Sequence, residues 1–317
     1  VRAIGRRSRK DDRMSFNANG SANGKEFHGV FAAALTPFHE DESLDEGAFE
    51  AHLDYLISSG IEGLLVIGGS GEYVNLSSDE RKKIVSLAVQ SIGGRVPVLA
   101  GLLSPSTREA VEIGTHAAEE GADALLVLPP YYIRPSLDGI VHHFETIARE
   151  TGLKIVAYNI PGRTGYNLDV DDLRAIATVP AVVAVKDCDR DLAMISARVR
   201  ELGDRLSILS GDDDLGFPTL LVGAHGAIWA GANFAPKMYV ELFKASVNGD
   251  IDKGLELHHR LLPMVETWLI RNHPAPLKEL MGIVGRPVGP ARQPLRAMTA
   301  EERSKVELVL SKFGPYE

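Results

Sequence analysis

From His28 onward, the chain alternates short runs of apolar residues with amphipathic stretches of helical periodicity. The stretch from Asp79 to Ser91 is typical, because Ile84, Val85 and Ala88 recur on one face of a helix. Each apolar run is followed by a loop rich in Gly, Pro, Ser or Asp and then by such a stretch. The apolar runs, which we predict to be strands, are Val30–Leu35, Gly63–Ile67, Val96–Leu99, Ala124–Leu128, Lys154–Tyr158, Ala181–Val185, Leu206–Leu209 and Gly226–Trp229.

These eight runs lack polar alternation, which is typical of parallel strands buried on both faces. An open, doubly wound sheet also fits this pattern. The count of eight and the missing dinucleotide fingerprint favour an α/β fold of the closed (β/α)8 (TIM) barrel type with a C-terminal helical extension. After an eighth helix, three more helical stretches are predicted: Ile251–Arg271, Pro276–Val284 and Ala300–Lys312. We therefore predict a flexible tail over residues 1–27, a catalytic barrel over 28–250 and a C-terminal helical segment over 251–317.

The composition narrows the possible partners. With 34 basic and 43 acidic residues the net charge is −9, which works against nucleic-acid binding. No apolar run reaches the roughly 18 residues that a membrane-spanning helix needs. Cys188 is the single cysteine, so an intrachain disulfide and a cysteine-based zinc site are excluded, and a reducing, cytoplasmic location is expected. Residues 1–13 are basic and precede Met14. We interpret them as the product of a start upstream of Met14, with a transit peptide as the alternative.

In barrels of this type the site lies at the C-terminal ends of the strands. Lys186 directly follows the sixth apolar run, where apolar walls would lower its pKa and free the amine to attack a carbonyl. An ion pair with Asp187 or Asp213 is the alternative. Tyr158 ends the preceding run, so we expect its phenol beside Lys186 as a proton carrier. A core tyrosine with one satisfied hydrogen bond is the other interpretation.

Three loops offer binding groups. The loop 68–72 lacks the third glycine of a dinucleotide fingerprint and the lysine of a P-loop, but its backbone N–H groups and the Ser70 hydroxyl suit a small carboxylate. Arg163 offers a guanidinium fork to a second carboxylate, and a solvated surface arginine is the alternative. We interpret the acidic run Asp212–Asp214 as helix N-capping residues, with a magnesium site as the less favoured alternative.

Together, these loops resemble the dihydrodipicolinate synthase and N-acetylneuraminate lyase family, over the chain from about residue 29 to its C-terminus. The motifs that carry the resemblance are Gly-Gly-Ser-Gly-Glu at 68–72, Pro-Tyr-Tyr-Ile-Arg-Pro at 130–135, Tyr-Asn-Ile-Pro-Gly-Arg-Thr-Gly at 158–165, Val-Lys-Asp at 185–187, Ser-Gly-Asp-Asp at 210–213 and Gly-Ala-His-Gly-Ala-Ile at 223–228. The resemblance implies a (β/α)8 lyase of the Schiff-base class that needs no metal and no organic cofactor.

The resemblance also implies roles for individual residues. Lys186 would form the imine with pyruvate, and Tyr158 would transfer protons. Gly69 and Ser70 would hold the pyruvate carboxylate, and the carbonyl of Ile228 would line that pocket.

Tyr132 resembles a tyrosine that family members insert across a subunit interface to complete a proton relay. The resemblance therefore implies a homodimer or a homotetramer.

Two positions bear on the second substrate. Arg163 resembles the arginine that marks the synthase branch, where it binds the carboxylate of aspartate semialdehyde. Synthases normally carry threonine at the position of Gly69, and that hydroxyl links the two tyrosines of the relay. An aldolase or dehydratase acting on a 2-keto-3-deoxy sugar acid is therefore the alternative function. A non-catalytic, effector-binding relative and a metal-dependent aldolase using Asp212 and Asp213 are more distant alternatives.

The effector pocket of lysine-inhibited relatives is only partly present. Glu109 and Tyr131 match that pocket. The positions that depart from it are Tyr73, Ser78, Arg81 and Pro105. We therefore expect weak or absent inhibition by lysine.

Overall fold

The computed structural model describes residues 27–269 and 272–314, and its strands form one closed parallel barrel. The strands are β1 (Gly29–Ala33), β2 (Gly63–Val66), β3 (Val98–Leu102), β4 (Ala124–Val127), β5 (Lys154–Asn159), β6 (Val182–Asp187), β7 (Ser207–Ser210) and β8 (Gly226–Trp229). Each strand pairs with the next, and β1 closes the ring by pairing with β8. The predicted (β/α)8 barrel is therefore confirmed, and the open sheet is excluded. The predicted tail lies almost entirely outside the described residues.

The third strand shows the largest shift from the sequence prediction. We predicted Val96–Leu99, whereas β3 runs from Val98 to Leu102. Pro97 accounts for the later start, because proline has no N–H to donate to a sheet ladder. Its carbonyl accepts a hydrogen bond from the Leu64 N–H at 2.9 Å, and the regular pairing with β2 begins at the next residue.

Helices connect the strands and cover the outside of the barrel. In the described residues they are α1 (Glu46–Ser58), α2 (Ser78–Ile92), α3 (Thr107–Glu120), α4 (Leu137–Thr151), α5 (Pro161–Thr164), α6 (Val170–Ile176), α7 (Leu192–Leu202), α8 (Gly216–Leu221), α9 (Pro236–Asn248), α10 (Ile251–Trp268), α11 (Ala275–Ile283) and α12 (Ala300–Phe313). Ser77 and Glu80 form a capping box at the start of α2. Gly121 ends α3 with a φ of +94°, a conformation that suits glycine.

The C-terminal helices are anchored to the loop that follows β2. Lys278 on α11 lies 2.9 Å from the Glu72 carboxylate, and both side chains are completely buried. The same ammonium donates to the Thr36 carbonyl at 2.8 Å. Removing one partner of such a pair would leave an uncompensated buried charge. The anchor therefore holds α11 at the C-terminal mouth of the barrel.

Over residues 27–269 and 272–314, no helix is both long enough and apolar enough to cross a membrane.

Candidate active site

A cavity of about 920 Å³ opens at the C-terminal ends of the strands. Its walls come from the loops after β2, β4, β5, β6 and β7 and from the segment around α10 and α11. Five of the seven residues predicted for the site line it: Gly69, Ser70, Tyr158, Arg163 and Lys186. Tyr132 and Ile228 are not among the residues that line the cavity.

Lys186 and Tyr158 are brought together by strand register. They are paired positions on β6 and β5, so their side chains project from the same face of the sheet. The Lys186 Nζ lies 4.7 Å from the centroid of the Tyr158 ring. Both residues are buried, with 6% and 7% of their surfaces exposed. The sequence prediction that the phenol lies beside the amine therefore matches the observed geometry.

Burial shifts the pKa values of both groups towards their neutral forms. Burial lowers the pKa of Lys186 below its ordinary value, and the charges of Asp212 and Asp213 partly oppose that shift. Burial raises the pKa of Tyr158 well above its ordinary value. The site therefore favours a neutral amine, which is nucleophilic, next to a protonated phenol, which is a proton donor.

The carboxylates next to Lys186 are bound elsewhere. Asp187 accepts from Arg198 Nη1 at 2.9 Å, and Arg198 is completely buried. Asp213 Oδ1 accepts from the Gly231 N–H at 2.7 Å. In the part of the chain that the structure describes, Lys186 forms no ion pair within 4.0 Å. The ion-pair alternative for Lys186 is therefore not what the geometry shows.

The acidic run after β7 does not cap a helix, so that interpretation is wrong. Helix α8 begins at Gly216, and its N-cap residue, Leu215, makes no side-chain capping bond. Asp213 lies two residues before the N-cap position, and its carboxylate accepts a hydrogen bond from the Gly231 N–H instead. Asp214 pairs with Arg190, with Nη1 and Oδ1 3.1 Å apart. Among the described residues, no group of three or more His, Cys, Asp or Glu side chains is arranged to hold a metal ion.

The loop after β2 combines open space with one hydroxyl. A Cβ atom built on Gly69 would meet no heavy atom within 4 Å. The Gly71 carbonyl accepts from the Thr36 hydroxyl at 2.8 Å, which fixes the loop to the end of β1. Ser70 Oγ lies 3.1 Å from His273 Nε2. Ser70 is thus the side chain of this loop that brings a hydroxyl into the cavity.

The other predicted residues occupy different environments. Arg163 lies on α5, is exposed towards the cavity and pairs with no carboxylate of the described residues. Tyr132 has 96% of its surface exposed and a φ of +70°, which is an uncommon backbone conformation for a residue other than glycine. Ile228 is completely buried on β8, opposite Phe31 on β1.

Two of the cavity-lining residues that sequence reasoning missed lie beside predicted ones. His273 comes from the segment between α10 and α11, and nothing in the local pattern signals its approach to Ser70. Cys188 lies two residues after Lys186, and its Sγ is 3.9 Å from the Tyr158 hydroxyl. Burial raises the pKa of the Cys188 thiol well above its ordinary value. Its position just after a strand end was the signal that could have placed it in the site.

The fold and site define a class: a (β/α)8 enzyme with a buried lysine amine and a tyrosine at the mouth of the barrel. The model of the dihydrodipicolinate synthetase family matches residues 26–313, and the chain belongs to that family. A curated 4-hydroxy-tetrahydrodipicolinate synthase from Methanothrix thermoacetophila is 39% identical, covering 91% of this chain and 97% of that relative.

Two solved structures show the same similarity. The dihydrodipicolinate synthase from Aquifex aeolicus superposes with a TM-score of 0.88 at 35% identity, over 92% of this chain and 99% of that chain. A prophage protein of the dihydrodipicolinic acid synthase family from E. coli K12, solved in complex with pyruvate, has a TM-score of 0.87 at 32% identity. That match covers 91% of this chain and 99% of the prophage protein.

Proposed function

We propose that this chain is a 4-hydroxy-tetrahydrodipicolinate synthase, which condenses pyruvate with aspartate semialdehyde in a cytoplasmic route to lysine or diaminopimelate. The observation that carries the proposal is the buried Lys186 amine beside the Tyr158 phenol, with Nζ 4.7 Å from the ring centroid. A desolvated lysine is a nucleophile towards carbonyl carbon, and the family relationship supplies the reaction type.

The first half of the reaction uses Lys186 and Tyr158. The Lys186 amine attacks the keto carbon of pyruvate, and a carbinolamine forms. The Tyr158 phenol donates the proton with which the hydroxyl leaves as water, so a protonated imine and the Tyr158 phenolate remain. The phenolate then takes a proton from the pyruvate methyl group, which gives the neutral enamine and restores the phenol. No metal or organic cofactor takes part, because the imine nitrogen accepts the electron pair.

The second half of the reaction uses two binding elements, the loop that follows β2 and the helix α5. Gly69 and Ser70 line the cavity, and backbone N–H groups such as theirs suit the pyruvate carboxylate. Arg163 lies on the wall, unpaired with any described carboxylate, and suits the carboxylate of aspartate semialdehyde. The enamine carbon attacks the aldehyde, and the amine of the second substrate displaces Lys186 as the ring closes.

The proposal extends to a subunit interface. Tyr132 and Ile133 expose 96% and 78% of their surfaces, and neither lines the cavity of its own chain. We propose a homodimer or homotetramer in which Tyr132 of one copy reaches the site of another.

The Ile228 carbonyl is proposed to close the floor of the pyruvate pocket, because Ala230 two residues later lines the cavity.

Borohydride trapping tests the class of mechanism. Reduction in the presence of pyruvate is expected to add a three-carbon unit to Lys186, detected by peptide mass spectrometry. An unmodified Lys186 peptide under those conditions would refute the Schiff-base mechanism. Lys154, at the exposed start of β5, serves as the internal control and is expected to remain unmodified.

One observation favours a second candidate, a 2-keto-3-deoxy sugar acid aldolase or dehydratase. The open space at Gly69 leaves room for a substrate larger than aspartate semialdehyde. A panel of aspartate semialdehyde and several keto-deoxy acids decides between the two functions. We expect kcat/KM to favour aspartate semialdehyde by orders of magnitude, and the reverse order would select the sugar acid.

A further inference from the structure

Arg163 lies on a helix that is too short to hold itself in place. Helix α5 has four residues, Pro161–Thr164, and Arg163 is exposed towards the cavity. A helix of this length is not stable by itself in water, so its position depends on the segments at either end. The α5 loop, which we define as residues 160–168, is therefore the unit that places the Arg163 guanidinium.

The α5 loop is closed at its neck by side-chain amides. Asn159 is the last residue of β5 and directly follows Tyr158. The Asn159 Nδ2 donates to Asn167 Oδ1 at 2.8 Å, and the Asn159 Oδ1 accepts from the Leu168 N–H at 3.0 Å. The chain therefore returns to the end of β5 eight residues after leaving it, with Arg163 between the two points of contact.

The same neck is attached to the loop that follows Lys186. Asn167 Nδ2 donates to Asp189 Oδ2 at 2.6 Å. The Arg198 guanidinium donates to Asn167 Oδ1 at 3.1 Å and to Asp189 Oδ2 at 2.8 Å. Arg198 is completely buried, and Asp189 exposes only 6% of its surface. Asn167 thus uses both polar atoms of its side chain to join the α5 loop to the loop after β6.

The ends of β5 and β6 are joined independently of Asn167. Asn159 Nδ2 also donates to Asp187 Oδ1 at 2.9 Å. Asn159 and Asp187 are register partners, one step beyond the pair formed by Tyr158 and Lys186. Removal of the Asn167 amide should therefore loosen the α5 loop, while the two strands that carry the amine and the phenol stay joined.

The charge of Arg163 acts on groups inside the cavity. Burial raises the pKa of Tyr158 well above its ordinary value, and the Arg163 charge partly opposes that shift. Burial lowers the pKa of His273 to about 4, and the Arg163 charge adds to that shift. Tyr158 and His273 both line the cavity, so the guanidinium faces its interior. The orientation that the neck gives to the α5 loop therefore matters at the reacting groups.

We propose that Asn167 is a positioning residue that holds Arg163 in place for the carboxylate of the second substrate. It does so by closing the α5 loop and by tying that loop to Asp189 and Arg198. A bidentate contact between a guanidinium and a carboxylate depends on the direction of both planes, and a displacement of about 1 Å can cost about 100-fold in rate. This proposal rests on the proposed function, because it requires that Arg163 bind the second substrate.

The variant Asn167→Ala removes the amide from the neck. We expect its KM for aspartate semialdehyde to rise by about tenfold or more, because a displaced guanidinium holds the carboxylate less well. The KM for pyruvate and the rate of borohydride trapping at Lys186 should stay within about twofold of native. Steady-state rates with each substrate varied in turn measure this difference. A native KM for aspartate semialdehyde in the folded variant would overturn the proposal.

A double-mutant cycle separates positioning of Arg163 from a general loosening of the fold. Arg163→Ala alone should lower kcat/KM for aspartate semialdehyde by about 100-fold or more. If Asn167 acts through Arg163, adding Asn167→Ala to Arg163→Ala should lower kcat/KM further by less than about twofold. A further loss as large as that of Asn167→Ala alone would contradict the proposal, since the two residues would then act independently.

Two further variants complete the experiment. Asn248→Ala, at the exposed C-terminal end of α9, is the matched control and should keep native kinetics. Asn167→Ser offers one hydroxyl in place of the two polar atoms of the amide, and it should raise the same KM. If Asn167→Ala does not fold, Asn167→Ser makes the same test in the same cycle.

The native enzyme distinguishes failure of this proposal from failure of the proposed function. Absence of trapping at Lys186, or of turnover of aspartate semialdehyde, would refute the proposed function before any variant is compared. If the native enzyme instead turns over a keto-deoxy sugar acid, the cycle is measured with that acid. Independent losses in Asn167→Ala and Arg163→Ala would then again overturn the positioning role.

Discussion

Lys186 lies against the face of Tyr158 because the two residues are register partners on adjacent strands, β6 and β5. The contact follows from the register of the two strands. The pairs Val156–Ala184 and Ala157–Val185 precede it along the strands and fix that register. A shift of one residue would send Lys186 to the opposite face of the sheet. The chemistry of the site is therefore tied to the packing of two apolar strands.

Replacing Lys186 should abolish the reaction. Lys186→Met keeps an unbranched side chain of similar size but removes the amine, and kcat/KM should fall by at least about 10⁴-fold. Lys186→Arg introduces a permanent cation and supplies no free amine, so it should be equally inactive. Steady-state rates with pyruvate and aspartate semialdehyde, together with borohydride trapping, measure both effects. Retention of more than a few per cent of activity in either variant would rule out Lys186 as the nucleophile.

Replacing Tyr158 should slow proton transfer more than substrate binding. Tyr158→Phe preserves the ring beneath the Lys186 amine and removes the hydroxyl, so kcat should fall by about 10²- to 10⁴-fold. The KM for pyruvate should change by less than about fivefold. Tyr166→Phe is a suitable control, because that hydroxyl donates to the Pro130 carbonyl in the loop after β4 and not to a group in the cavity. A normal kcat in Tyr158→Phe would contradict the role of the phenol.

Arg198 should be essential for stability. Its completely buried guanidinium binds Asp187 at 2.9 Å and Asp189 at 2.8 Å. Arg198→Met leaves two buried carboxylates without their cation, which should cost about 3–5 kcal/mol of unfolding free energy. Arg200→Met, on the exposed face of the same helix, should change stability by less than about 0.5 kcal/mol. Urea denaturation followed by circular dichroism compares the two, and equal losses would refute the assignment.

His52 should make stability fall in mild acid. Burial lowers its pKa to about 4, and its Nε2 lies 2.7 Å from Asn233 Oδ1. Between the unfolded value of 6.5 and the folded value of about 4, the unfolded chain binds a proton that the folded chain does not. Stability therefore decreases as pH falls through this window, by on the order of 3 kcal/mol from His52.

The variant His52→Gln tests that pH dependence. Its absolute stability should be lower at every pH, but its loss between pH 6.5 and 4 should be smaller than that of the native protein. His142→Gln, whose ring is exposed, should leave the native slope unchanged. Denaturation midpoints measured across this pH range give the slopes, and parallel curves for His52→Gln and the native protein would show that His52 does not titrate on unfolding.

Free lysine should inhibit the enzyme weakly or not at all. The Glu109 carboxylate, which the resemblance places in an effector pocket, binds the Arg81 guanidinium of its own chain. That guanidinium also lies 3.9 Å above the Tyr73 ring. The Glu109 carboxylate is therefore already paired with a cation of its own chain, which leaves it less available to an effector ammonium. Steady-state rates with added lysine test this prediction, and half-maximal inhibition at submillimolar lysine would contradict it.

Much of the framework was predictable from local pattern. All eight apolar runs form strands, because burial on both faces makes such runs apolar throughout. Lys186 and Tyr158 were predictable because strand ends converge at one mouth of the barrel. The N-capping interpretation of Asp212–Asp214 failed, since local composition does not reveal that Gly231, on the next loop, offers Asp213 a buried N–H.

The sequence by itself determined the barrel, the strand order and the lysine–tyrosine pair, because these depend on short-range periodicity and on the neighbourhood of consecutive strands. Only the tertiary structure decided that His273 meets Ser70 and that Lys278 meets Glu72. Those contacts join segments about 200 residues apart, and they form because α10, α11 and the loop after β2 pack together over the mouth of the barrel. No local pattern of polar and apolar residues encodes a packing contact of that range.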